Sequence, residues 1–129
     1  MSDRRLISSG GPYEASVGYS RAIVVGDSCW VAGTTDAGPD GRSLHPGDPA
    51  AQARAALGII ERALAEAGFA LTDVVRTRIF VTDIGTAGDV TAVHGAIFGG
   101  IRPAATLVGV AALIDPSLLV EIEAEARRG

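Results

Sequence analysis

Apolar and polar positions along this chain recur with two periods, and each change of period marks the edge of an element. Short apolar runs from Arg21 to Val25 and from Cys29 to Gly33 flank Gly26-Asp27-Ser28, which predicts a β-hairpin. Turn-rich sequence follows, through Gly38-Pro39-Asp40-Gly41 and His45-Pro46-Gly47. The period then lengthens. Ala53, Ala56, Leu57, Ile60, Leu64 and Ala67 recur at three and four residues, the stripe of an amphipathic helix. Asp48 is placed to cap that helix, Pro49 fits its first position, where no N–H is needed, and Gly68 is placed to end it. Thr72 to Val81 returns to a period of two, with Val75, Thr77, Ile79 and Val81 on one face and Arg76, Arg78 and Phe80 on the other. A second helix is expected from Thr86 to Phe98, with Val90, Val93, Ile97 and Phe98 inward and Gly99-Gly100 as its stop.

The stretch from Ile101 to Ala126 closes the pattern. An apolar run leads through a tight connection at Asp115-Pro116 to a strand in which Val120, Ile122, Ala124 and Ala126 alternate with Glu121, Glu123 and Glu125. The predicted order is strand, strand, helix, strand, helix, strand, strand. It implies a two-layer α+β domain, a mixed sheet of about five strands with both helices on one face. Aliphatic residues stand at both parities of the strands, so the other face needs a cover, and self-association is the simplest one. Residues 1–18, with Ser8-Ser9-Gly10-Gly11-Pro12, read as an irregular N-terminal arm.

Composition sharpens this picture in a few ways. At 129 residues, 47% of them apolar and 20% charged, the chain is expected to form a single domain over residues 1–129 with a core of Ala, Val, Ile and Leu. A net charge of −4 offers no general attraction to phosphate backbones or anionic membranes, so neither nucleic acid nor a membrane is an expected partner. No apolar run is long enough for a membrane span, and the N-terminus lacks the apolar core of a secretion signal, so a cytoplasmic location is expected. The single cysteine, Cys29, has no partner for an internal disulfide and reads as a small buried residue.

Few side chains form a chemically distinctive constellation. Glu121, Glu123 and Glu125 share one strand face at steps of roughly 7 Å, and cross-strand pairing with Arg76 and Arg78 is their structural explanation. His45 and His94 stand apart from any cysteine or carboxylate at metal-ligand spacing, so no metal site is expected. Neither a phosphate-binding glycine loop nor a nucleophile triad is present at recognisable spacing.

Several runs, taken in order, carry a resemblance. They are Tyr19-Ser20-Arg21-Ala22, Val31-Ala32-Gly33-Thr34-Thr35, Ala51-Gln52-Ala53-Arg54, Val75-Arg76-Thr77-Arg78-Ile79-Phe80-Val81-Thr82-Asp83, Arg102-Pro103-Ala104 and Val120-Glu121-Ile122-Glu123-Ala124. Together they resemble the RidA (YjgF/YER057c) family. The resemblance implies a chorismate-mutase-like fold and a homotrimer with small-molecule clefts between subunits, which supplies the missing cover. It also implies cofactor-independent hydrolysis of reactive enamines and imines to 2-keto acids and ammonia.

The resemblance carries site residues over unevenly. Glu121 matches the glutamate that positions water or protonates substrate, Tyr19 a cleft tyrosine, and Gly33 a position whose backbone faces the ligand. Thr91 stands where some members have an asparagine. The arginine that follows the signature proline by two residues, and clamps the substrate carboxylate, is replaced by Ala105; Thr106 follows it at opposite parity. Losing a desolvated clamp of that kind costs on the order of 2–5 kcal/mol, so a substrate other than 2-iminopropionate is expected. Arg102, three residues before Ala105, would need a bulge to replace it. A trimer that binds a metabolite without deaminating it is the alternative, and an endoribonuclease, an old family label, ranks last for so acidic a chain.

Overall fold

The computed structural model describes residues 4–129. Six strands form one sheet in the order β1-β2-β3-β6-β4-β5. In chain order they are β1 (Arg4–Ile7), β2 (Ala22–Val25), β3 (Ser28–Thr34), β4 (Val74–Val81), β5 (Ala104–Gly109) and β6 (Val120–Arg127). Two helices, α1 (Pro49–Ala67) and α2 (Ala87–Phe98), pack against each other and against one face of the sheet. This is the mixed α+β, two-layer arrangement expected from the periodicity.

The helix signals act as expected. The Asp48 carboxylate accepts from Ala51 N at 3.0 Å, a cap worth about 1 kcal/mol. Gly68 ends α1 in the left-handed region (φ 86°), where a side chain would be strained. All six residues of the predicted stripe are buried, as are Val90, Val93 and Phe98 of α2. Ile97 packs partly against the same core. On β6, Val120, Ile122, Ala124 and Ala126 complete it from the sheet side.

Three expectations need correction. The arm is not irregular throughout. Arg4–Ile7 pairs antiparallel with β2 and buries Ile7, and a short π-helical turn spans Glu14–Gly18. A four-residue strand exposed at three positions is too brief to show a period. Its continuation is tied down by Glu14, whose carboxylate accepts from Ser8 Oγ, Ser9 Oγ and the Ser9 and Gly11 amides. On β4, Val75 is exposed and Val74 takes the inward place, because the register against β6 slips between Val74 and Arg76. Such a bulge turns one side chain to the other face. Finally, the connection at Asp115-Pro116 is not tight. β5 runs parallel to β4 while β6 runs antiparallel to it on its other side, so residues 110–119 must cross over β4.

That crossover is fastened by a buried side chain. Gln52 of α1 is fully buried; its Nε2 donates to the carbonyls of His45 and Ser117, and its Oε1 accepts from Leu119 N. One glutamine thus joins the loop before α1, the helix and the strand entering the site. The sheet face away from the helices has a different character. Leu6, Ile23, Trp30, Glu125, Arg76 and Ala104 lie in one cross-strand row on it, with Leu6 and Trp30 exposed. Replacing Gln52 with leucine keeps the volume but leaves the Ser117 carbonyl and the Leu119 amide without the partner Gln52 gives them, while the His45 carbonyl keeps its bond from Asp48 N. Urea denaturation should show a loss of about 2–4 kcal/mol, and an unchanged midpoint would contradict this account of the crossover.

Candidate active site

The strand alternation that buries Ile122 sends Glu121 to the opposite face, beside β3. The Glu121 carboxylate lies over Gly33, and a Cβ built on Gly33 would overlap its Oε2 and crowd its Cδ. A side chain at Gly33 would displace the Glu121 carboxylate from this position, whereas the backbone conformation there does not itself call for glycine. The register between β3 and β6 also shifts between Val31 and Thr34, which opens the strand at this point.

Arg21 closes the other side. Its Nη1 donates to the Gly33 carbonyl at 3.1 Å and to Thr34 Oγ1 at 2.7 Å, and Thr34 Oγ1 in turn donates to the Ala32 carbonyl. Tyr19 lies with its ring centroid 5.7 Å from the guanidinium carbon and is partly exposed. Glu121, Gly33, Arg21, Tyr19 and Thr35 line one open groove. Burial pushes the Glu121 carboxyl above its ordinary pKa; the Arg21 guanidinium pulls it back, and Glu123 adds to the rise. The result is a carboxyl biased towards its protonated form, next to a cation and in reach of solvent, a fair description of a general acid.

The structure brings Glu121, Tyr19 and Gly33 together and leaves the other expected residues elsewhere. Ala105 is exposed on β5, paired with Thr77, whose side chain is buried on the helix side. Ala105 therefore faces the helix side, away from Glu121. Thr91 is exposed on α2, its hydroxyl donating to the Gly88 carbonyl at 3.3 Å. Thr106 stands on the Glu121 side of the sheet but at the far edge, accepting from Arg76 Nη2 at 3.2 Å. Arg102 is exposed just after α2 with φ 58° and its amide bonded to the Phe98 carbonyl. Arg21 stands in the sequence only at the start of an apolar run and within a matched motif; its burial, at 8% exposure, is what distinguishes it.

The remaining candidates have structural roles. Arg78 bonds both Glu123 (3.2 Å) and Glu125 (2.9 Å), so the cross-strand pairing expected for the glutamate row involves two of its three members. His94 pairs with Thr77 Oγ1 at 2.8 Å, and burial lowers its pKa. His45 Nδ1 lies 3.0 Å from the buried Asp36 carboxylate, which also accepts from Ser43. Cys29 is buried, and desolvation raises its thiol pKa. Among the described residues no group of three or more His, Cys, Asp or Glu could hold a metal ion.

The Glu121 shift has a sign that can be tested. A carboxyl whose native pKa exceeds its unfolded value of about 4.3 binds its proton more tightly when folded, so stability falls as pH rises from that value through the native pKa. Glutamine has no such loss. Thermal denaturation should therefore show Glu121→Gln gaining stability relative to the native chain between pH 4 and pH 7. A difference that is flat or shrinks over that interval would contradict the shift.

A family profile described as Endoribonuclease L-PSP matches residues 12–128. The chain is 38% identical over 125 residues to the uncharacterized protein SCO2049 of Streptomyces coelicolor, covering 97% of this chain and 92% of that one. It is 35% identical over 126 residues to a rat protein named 2-iminobutanoate/2-iminopropanoate deaminase, covering 98% and 91%. Among solved structures it is similar to Rv2704 of Mycobacterium tuberculosis, a YjgF/YER057c/UK114 family member, with a TM-score of 0.89 at 52% identity over 98% of this chain and all of that one. The Escherichia coli YjgF gene product superposes with a TM-score of 0.81 at 31% identity, covering 97% and 99%. The six-stranded sheet, the two helices and these likenesses agree: the chain belongs to the RidA (YjgF/YER057c/UK114) family.

Proposed function

We propose that this protein is a cofactor-independent hydrolase of imines or enamines of a small metabolite, with Glu121 as its acid or water-orienting group. The observation that carries this reading is the Glu121 carboxyl, partly buried over Gly33 beside Arg21 and shifted towards its protonated form. Relatives of rat and mouse that bear the deaminase name support it. In the reaction water adds to the C=N carbon, and the carbinolamine then expels ammonia and leaves a carbonyl. A carboxyl in the state described can protonate the nitrogen or the enamine carbon and, once ionised, take a proton from the attacking water. Tyr19 would shape the cleft mouth.

A homotrimer is part of the proposal. The apolar end of that cross-strand row, Leu6, Ile23 and Trp30, with Leu6 and Trp30 exposed, calls for a partner. Within one chain Glu121 and Ala105 lie on opposite faces, so a cleft that uses both β6 and β5 would take them from neighbouring copies. Residues 1–129 then act as one domain. No helix among the described residues is long and apolar enough to cross a membrane, which accords with a cytoplasmic location.

A second reading is favoured by Ala105. Without a guanidinium at that position, the trimer could hold a metabolite and not deaminate it, and Ala105→Arg would then create or raise imine hydrolysis. The endoribonuclease reading rests on the profile's description alone, against a net charge of −4. An amino-acid oxidase can generate imines in situ, with ammonia or keto-acid release followed. The native protein should accelerate release, and Glu121→Ala should lower the rate by about 100-fold or more. No acceleration over buffer across several amino-acid-derived imines would sink the enzymatic reading.

A further inference from the structure

Arg21 is a buried cation that no carboxylate among the described residues pairs. Its Nη1 is satisfied by two neutral acceptors, the Gly33 carbonyl and Thr34 Oγ1, while its Nε is buried without a hydrogen-bond partner. The ion pairs among the described residues involve Arg42, His45, Arg78 and Arg128, and Arg21 belongs to none of them. The contrast with Arg78 is instructive: Arg78 has a more exposed side chain yet holds two glutamates. Burial of a guanidinium is costly unless an anion compensates it. Glu121 acts on Arg21 electrostatically from beyond ion-pair distance, and its own burial disfavours the charged carboxylate. Among the described residues, therefore, no carboxylate within ion-pair distance compensates the Arg21 charge at this corner, and its Nε is left without an acceptor.

That corner opens on the groove that Arg21 lines together with Glu121, Tyr19 and Gly33. Tyr19, 38% exposed, stands at the groove with its ring centroid 5.7 Å from the guanidinium carbon. We infer that Arg21 is the anion anchor of this groove, taking the carboxylate of a small acid on its unpartnered edge, on the face of the sheet that carries Glu121. The planar guanidinium with a free N–H edge suits a carboxylate better than an ammonium would. This rests on the groove being a small-molecule site, and it names the ligand class: small carboxylic acids such as imino or keto acids. It reverses what Ala105 alone implies, since Arg21 supplies a positive charge beside Glu121 without any residue of β5.

Calorimetric titration of the full-length protein near neutral pH tests this, with 2-oxobutanoate and its uncharged amide, 2-oxobutanamide, as probes. The native chain should prefer the acid by on the order of tenfold or more. Arg21→Gln, shown to be folded by circular dichroism, should bind both alike, and Arg21→Lys should keep part of the preference. Equal binding of acid and amide by the native chain, no binding of the acid, or an undiminished preference in folded Arg21→Gln would each overturn the inference. The native comparison needs no variant, so misfolding of Arg21→Gln leaves the test intact. Imine hydrolysis measured in parallel separates the two claims. Loss of hydrolysis with the acid preference intact removes only the enzymatic reading, and hydrolysis with an unchanged KM in Arg21→Gln removes only the anchor.

Discussion

The structure depends most on the seating of β6 between β3 and β4. A strand in that position must satisfy a ladder on both edges and a core on one face, and the two-residue period of Val120 to Ala126 does both. Its inward half, Val120, Ile122, Ala124 and Ala126, packs in the core beneath α1. The same alternation commits Glu121, Glu123 and Glu125 to the opposite face. A slip of one residue would bury three carboxylates and expose four aliphatic side chains, so register is tightly specified, and the position of the candidate acid follows from it.

Along the outward row, neighbours decide what each glutamate becomes. Glu123 and Glu125 meet Arg78 and form a partly exposed cross-strand cluster of modest energetic weight. Glu121 is opposite Phe80 on one side and Gly33 on the other, so it gains no ion pair and is folded down over a glycine. Three residues of one type at one spacing therefore have two fates. The difference comes from adjoining strands, which is why spacing alone could not single out Glu121.

Much of the fold was legible because its signals are local. The stripe of α1, its Asp48 cap and its Gly68 stop are each contained within a few residues and were found where expected. What escaped depended on pairing between distant segments. β1 is a strand because β2 offers it an edge, Val75 turns outward because β4 slips against β6, and residues 110–119 are long because β5 and β6 flank β4 on opposite sides. The candidate site divides the same way. Glu121, Tyr19 and Gly33 came from matched motifs and converge, whereas Thr91, Ala105 and Thr106 lie elsewhere on the chain's surface. Arg21 carried no signal of its own, since an arginine at the start of a strand is unremarkable until its burial and missing carboxylate partner are seen.

The central claim is that Glu121 is an acid held out of its ordinary range by burial beside Arg21 and over Gly33. Carbon-13 NMR titration of the glutamate side-chain carboxyls, with Glu121 assigned by comparison with Glu121→Gln, measures this directly. The account predicts a midpoint for Glu121 above the ordinary carboxylate value, and higher still when Arg21 is replaced by glutamine. A Glu121 midpoint at or below about 4.3 would contradict it.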